Sequence, residues 1–319
     1  MLRCQRATFW LHGRTNKTIT RSNLNRIRVI ILLKQRILTS LVLAPLALAL
    51  VFYTPLTLFS YFAGAIVLMG AWEWSAFMGL CNKLKRSAFV LLVAALLALL
   101  NLHWPIESLW QDGKLVGDAN YLFTLSFAWW IVASYLVWRY PEMAKAWNEG
   151  IVMRGIAGLL TLVPLWLALN TLRSAQYTES SHFGSMLILV VLGIVWSADI
   201  GAYFTGKSFG KRKLMPKVSP NKTIEGLAGG VVAAVIFVLT FCHFTDVDLI
   251  VWPIYAIMTV FIALFSAVGD LLESMFKREA GLKDSGNCLP GHGGILDRID
   301  SLTAAAPMFV MCYAWTLSL

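Results

Sequence analysis

LIVWPIYAIMTVFIALFSAVGDLLESMFKREAGLKDSGNCLPGHGGILDRID, residues 249–300, passes from wholly apolar to densely charged within the length of one helix. From Leu249 to Val268 no residue carries a charge. Such a run approaches the ~20 residues that cross a bilayer as a helix. Asp270, Glu273, Ser274 and Lys277 follow at i, i+3, i+4 and i+7, which sets them on one helix face. Leu271, Leu272, Met275 and Phe276 keep the opposite face apolar. A charged stripe at the end of a span should face the bundle interior or a wet cavity. A salt-bridge network that only fixes packing is the alternative. Against it, the charge continues through Arg278, Lys283, Asp284, Asp297, Arg298 and Asp300, around His292 in Pro290-Gly291-His292-Gly293-Gly294.

The rest of the chain reads as support for this segment. Of 319 residues, 58% are hydrophobic and only 14% charged, against about 25% charged in soluble domains. Nine apolar stretches, roughly 37–54, 56–80, 88–104, 119–138, 153–172, 184–205, 224–243, 249–276 and 301–319, predict an all-α polytopic membrane protein of about nine transmembrane helices. Pro55 divides the first two, which as a re-entrant pair would leave eight spans. The loops after the second, fourth, sixth and eighth stretches are rich in Lys and Arg. The alternate loops hold Glu107, Asp112, Asp118, Glu179, Asp246 and Asp248, with only Lys114 and Arg173 as cations. Positive loops stay inside, so the N-terminus is expected in the cytoplasm and the C-terminus outside. Trp104, Trp129, Trp130, Trp138 and Trp252 fall near predicted span ends, where lipid-facing tryptophans anchor at the interface.

The net charge of +10 does not indicate a nucleic-acid partner. Arg3, Arg6, Arg14, Lys17, Arg21, Arg26, Arg28, Lys34 and Arg36 precede the first span with no Asp or Glu among them, and the remainder is nearly balanced. Residues 1–36 read as a basic, disordered extension; a targeting segment and a misassigned start near Leu33 stay open. The division is then 1–36, N-terminal transmembrane helices 37–180 and a C-terminal catalytic region 181–319. Five scattered cysteines without a C-x-x-C pair suggest neither zinc nor a disulfide framework.

Three constellations carry chemistry. Asp297 and Asp300 share a face at i, i+3, and with Asp270 they make a hard-oxygen set suited to Mg²⁺, whose octahedron substrate phosphates and water would complete. The PGHGG turn has permissive backbone whose N–H groups, at Gly293 and Gly294, approach a phosphate closely. Beside Arg278 and Lys283 it reads as part of a phosphate cradle, with His292 a proton or hydrogen-bond donor. The third constellation is the loop after the sixth stretch, from Gly206 to Lys213 and then Ser219-Pro220-Asn221-Lys222-Thr223-Ile224-Glu225-Gly226. Ser219 is expected to cap the next helix, with Lys222, Thr223 and Glu225 in its first turns, forming an anion site. Asp199, an acid inside the sixth stretch, is a candidate by position.

The run Ser274-x-x-Lys277-Arg278-x4-Lys283-Asp284, with Pro290-Gly291-His292-Gly293-Gly294-x-x-Asp297-Arg298-x-Asp300, resembles the signature of the phosphatidate cytidylyltransferase (CDP-diacylglycerol synthase) family. Ser219 to Gly226 and Trp196 to Tyr203 resemble it too, and the likeness covers about residues 34–319. It implies that CTP and phosphatidic acid give CDP-diacylglycerol and pyrophosphate with Mg²⁺. It also implies a bacterial inner membrane, a homodimer, and a second, monovalent cation such as K⁺. Rival readings are a CTP-dependent polyprenol or dolichol kinase and an ion-coupled transporter. A CDP-alcohol phosphotransferase lacks its D-G-x-x-A-R start here. A transporter would carry its carboxylates near the midplane, whereas these sit at span ends on the cytoplasmic side.

Overall fold

The structure is a computed structural model and describes residues 41–42, 44–144, 150–288 and 293–318. The basic tail 1–36 lies outside these residues, as do Pro290, Gly291 and His292. Nine α-helices are described: α1 (Ala44–Tyr53), α2 (Leu56–Phe77), α3 (Lys83–His103), α4 (Gly117–Trp138), α5 (Ile151–Ser174), α6 (Phe183–Phe209), α7 (Ile224–Phe244), α8 (Trp252–Glu279) and α9 (Leu296–Thr316). They fall in the nine apolar stretches. Seven of the described helices are long and apolar enough to cross a membrane. The shorter α1 is not among them, nor is α9, whose first turns carry Asp297, Arg298 and Asp300. The β-strands among the described residues form two antiparallel hairpins, β1 (Trp110–Gln111) with β2 (Lys114–Leu115) and β3 (Lys213–Met215) with β4 (Ser219–Thr223).

The connections alternate between two ends of the bundle, and the contacts show which ends meet. The Arg154 guanidinium, in the first turn of α5, donates to the carbonyl of Phe77 at the end of α2 (2.9 Å). Tyr140, just past α4, hydrogen-bonds Glu279 at the end of α8. The Arg278 Nε donates to the Val218 carbonyl in the turn before β4 (3.2 Å). The ends of α2, α4, α6 and α8 therefore gather at one pole, and with them the basic loops. At the other pole Ser185 Oγ donates to the Val51 carbonyl (2.8 Å), and Arg173 donates to the carbonyls of Thr54 and Ser181 (both 3.0 Å). Arg173 is thus not a loop cation but a buried side chain in the last turn of α5.

Small residues let the helices near the pole of the basic loops approach closely. A Cβ on Gly201 of α6 would collide with Ala233 and the Gly229 carbonyl of α7. A Cβ on Gly269 would meet the Asp300 carbonyl, so this glycine brings α8 and α9 together where Asp270 and Asp300 emerge. Two expectations are corrected. Trp129 and Trp130 do not face lipid: both are buried, and Trp129 Nε1 donates to Thr161 Oγ1 of α5 (3.1 Å). Both lie more than two turns inside the end of α4 at Trp138, and an indole at that depth packs inward where a neighbouring helix offers an acceptor. The sixth helix also runs on to Phe209, so Gly206 and Lys207 are helical.

Candidate active site

The active pole gathers side chains from α2, α6, the β3–β4 hairpin, α8 and α9. Ser219 does not cap the following helix. Residues 219–223 form β4, with Met215 opposite Ser219 and Lys213 opposite Thr223. The helix starts only at Ile224, and its cap is Thr223, whose Oγ1 accepts from Gly226 N (3.1 Å). Strand pairing delayed the helix by four residues. Glu225 then reaches back along the hairpin: its carboxylate accepts from Lys211 N (3.1 Å) and Arg212 N (3.2 Å) and pairs with Arg212 Nε (3.4 Å). Glu225 anchors the hairpin, and the hairpin carries Lys222.

Lys222 forms an ion pair with Asp270, which also accepts from Ser274 Oγ (3.3 Å). This pair stands beside a cavity of about 460 Å³ among α6, α7, α8 and the hairpin, lined by Asp199, Tyr203, Lys207, Asn221, Lys222 and Thr223 and floored by alanines and glycines. Its size suits a small-molecule ligand. The charges of Asp270, Lys222 and Arg298 act on Asp199, so the cavity joins the carboxylate cluster.

The predicted stripe on α8 points into that cluster. Lys277 Nζ bridges Glu273 Oε2 (3.1 Å) and Asp297 Oδ1 (2.7 Å). Asp297 Oδ2 accepts from Ser285 N (2.9 Å) and Gly294 N (2.8 Å), and Ser285 Oγ lies 2.9 Å from it. Burial pushes the Asp297 carboxyl up, but the bonds from Lys277, Gly294 and Ser285 outweigh it and hold it below the usual aspartate range. The Gly294 amide is thereby engaged by protein. Gly293, at φ +86°, takes the left-handed turn that glycine adopts freely. Asp300 lies against Glu273 and close to Asp270. Lys283 and Asp284 are exposed in the loop after α8, and Arg298 is exposed on the first turn of α9.

Glu73 of α2 is a member of this cluster that the sequence reading passed over. It is 4% exposed and accepts from Ile295 N (3.0 Å), Leu296 N (2.8 Å) and Ser285 Oγ (2.9 Å). The signal was available: a lone acid inside an apolar stretch warrants attention by its position alone.

The donor set suits a hard divalent cation. Among the described residues no donor reaches the buried Glu273 Oε1, which faces the Asp300 carboxyl, an apposition that a cation or a shared proton relieves. Among the described residues no three metal-ligating side chains converge into a closed cage. Magnesium would need only one or two of these carboxylates, with water and phosphate in its remaining positions.

Fold and site together define a helical membrane protein with a carboxylate–lysine cluster at one pole, beside a small-molecule cavity. Residues 34–316 match the cytidylyltransferase family. A phosphatidate cytidylyltransferase of Haemophilus influenzae is 40% identical over 90% of this chain and 100% of its own length. One of Pseudomonas aeruginosa is 43% identical over 87% and 96%. One of Bacillus subtilis is 41% identical over 50% of this chain and 57% of its own. The chain belongs to the cytidylyltransferase family.

Proposed function

We propose that the chain transfers the cytidylyl group of CTP to phosphatidate, giving CDP-diacylglycerol and pyrophosphate. The observation that carries this reading is the Lys222–Asp270 pair at the junction between cavity and carboxylate cluster. A phosphatidate oxygen forms the new bond to the α-phosphorus of CTP. The bond from that phosphorus to the bridging oxygen breaks, and pyrophosphate leaves with the electron pair. The nucleophile is already anionic near neutral pH, so little general-base help is needed. The barrier is the approach of one anion to another, and it yields to charge neutralisation and in-line positioning.

Lys222 and Lys277 supply fixed positive charge at the cavity and in the cluster, and exposed Lys283 and Arg298 add it at the rim. Arg278, tied to the Val218 carbonyl, holds the hairpin against α8 so that Lys222 stays over Asp270. We assign Mg²⁺ to this cluster, where one or two of Asp270, Asp297 and Asp300 would hold it; among the described residues Asp297 Oδ1 accepts from Lys277. A divalent cation held there would supply positive charge that offsets that of the substrate phosphates. A second, monovalent cation such as K⁺, a homodimer, a bacterial inner membrane and a cytoplasmic active pole complete the reading. The sidedness rests on the basic loops gathered at that pole.

The test is purified protein given phosphatidate and CTP labelled on either the α- or the γ-phosphate. Label from the α-phosphate alone should enter lipid. Transfer from the γ-phosphate would make the protein a lipid kinase, and absence of any transfer would favour a transporter.

A further inference from the structure

We infer that Glu73 is a positioning residue for the transfer reaction, acting from α2 through Ser285 on Asp297 and Lys277. This rests on the function proposed above. Glu73 does not line the 460 Å³ cavity, so it acts through other groups. Its two oxygens accept from three donors on one short piece of chain: the amides of Ile295 and Leu296, which open α9, and the Ser285 hydroxyl. Ser285 Oγ lies 2.9 Å from both Glu73 Oε2 and Asp297 Oδ2. Asp297 N points back at the same hydroxyl (3.3 Å). From Asp297 the chain of contacts passes to Lys277 and on to Glu273.

The backbone is shaped around this carboxylate. A Cβ on Gly286 would collide with Glu73 Oε1, and one on Gly294 would collide with Ser285 Oγ and Glu73 Oε2. Two glycines of the loop therefore leave room for the acid itself. Glu73 is also held from behind. Its neighbour Trp74 donates from Nε1 to the Arg154 carbonyl of α5 (2.9 Å) and packs on Phe276 of α8, centroids 4.9 Å apart. The side chain thus transmits the placement of α2 against α5 and α8 to the segment that presents Asp297. A residue 212 positions from Ser285 in sequence sets the register of the active loop.

Gln at this position keeps the shape but replaces one acceptor by a donor, which must face an N–H of the opening turn of α9 or the serine oxygen. For Glu73→Gln, purified in detergent, kcat should fall on the order of tenfold to a hundredfold, with the KM for CTP within about twofold of wild type. Hydrogen exchange should quicken at residues 285 and 294–297 while α5 and α6 keep their protection. Ser285→Ala removes one arm and leaves the two backbone arms, so it keeps the measurement open if Glu73→Gln fails to fold. It should show a smaller kcat loss, the same unchanged KM and the same local exchange.

Wild-type kcat with unchanged exchange in the folded variants would overturn the assignment. So would a raised KM for CTP at constant kcat, or faster exchange spread evenly through all helices. If wild-type protein transferred no label from CTP, the functional reading would fall. The exchange pattern would still decide whether Glu73 holds the segment.

Discussion

Asp270 has a double role at the residue scale, pairing with Lys222 on one side and adding to the carboxylate charge around Asp300 on the other. Asn in its place removes the charge and leaves Lys222 without its partner. Asp270→Asn should lower turnover by roughly a hundredfold or more with an unchanged thermal melt. Wild-type rates in the purified variant would remove Asp270 from the reaction. Asp297 allows a pH test. Its folded carboxyl lies below the usual range, so its contribution to stability is fully present above the unfolded value of about 3.9 and is lost as pH falls through the lower folded value. The difference in Tm between wild type and Asp297→Asn should hold steady from pH 7 to 5 and shrink in melts taken below about pH 4.

Element placement depends on two small features. Gly269 lets α9 approach α8, and a valine there must push the Asp300 backbone away. Gly269→Val should cost about 1–3 kcal/mol, read as a lowered Tm, and should lower kcat because Asp270 and Asp300 part. A variant with wild-type kcat would show that their spacing is immaterial. Thr223 caps α7 while it lines the cavity. Thr223→Ala should destabilise by about 1 kcal/mol, and Thr223→Ser, which restores the acceptor, should recover most of it. If serine recovered the Tm but not the activity, the threonine methyl would be what the cavity requires.

For the whole molecule, the gathering of α2, α4, α6 and α8 ends at one pole makes sidedness a single question. In a cysteine-free background, a cysteine at exposed Ser208 should resist a membrane-impermeant thiol reagent added to intact cells, and one at exposed Asp246 should react. The reverse pattern would turn the active pole away from the cytoplasm. The basic tail, residues 1–36, holds no carboxylate and no part of the motifs around Asp270, Asp297 and Lys222. Deleting residues 1–32 should leave turnover in detergent near normal. A hundredfold loss in folded protein would place the tail in the site.

By itself, the sequence determined the helical membrane class, the nine apolar stretches and the local groupings. Hydropathy and the 3.6-residue period act over short range, so the stripe Asp270, Glu273, Ser274, Lys277 and the pair Asp297, Asp300 were legible from spacing alone. Tertiary structure decided what spacing does not encode. It put Lys222 on a strand, because residues 219–223 pair with 213–215 before any helix can start. It buried Trp129 and Trp130 in the bundle, where α5 offered Trp129 an acceptor at Thr161. It brought Glu73 to the far end of the chain, where its carboxylate accepts from the amides at 295 and 296 that open α9 and have no acceptor within that helix, and from the Ser285 hydroxyl.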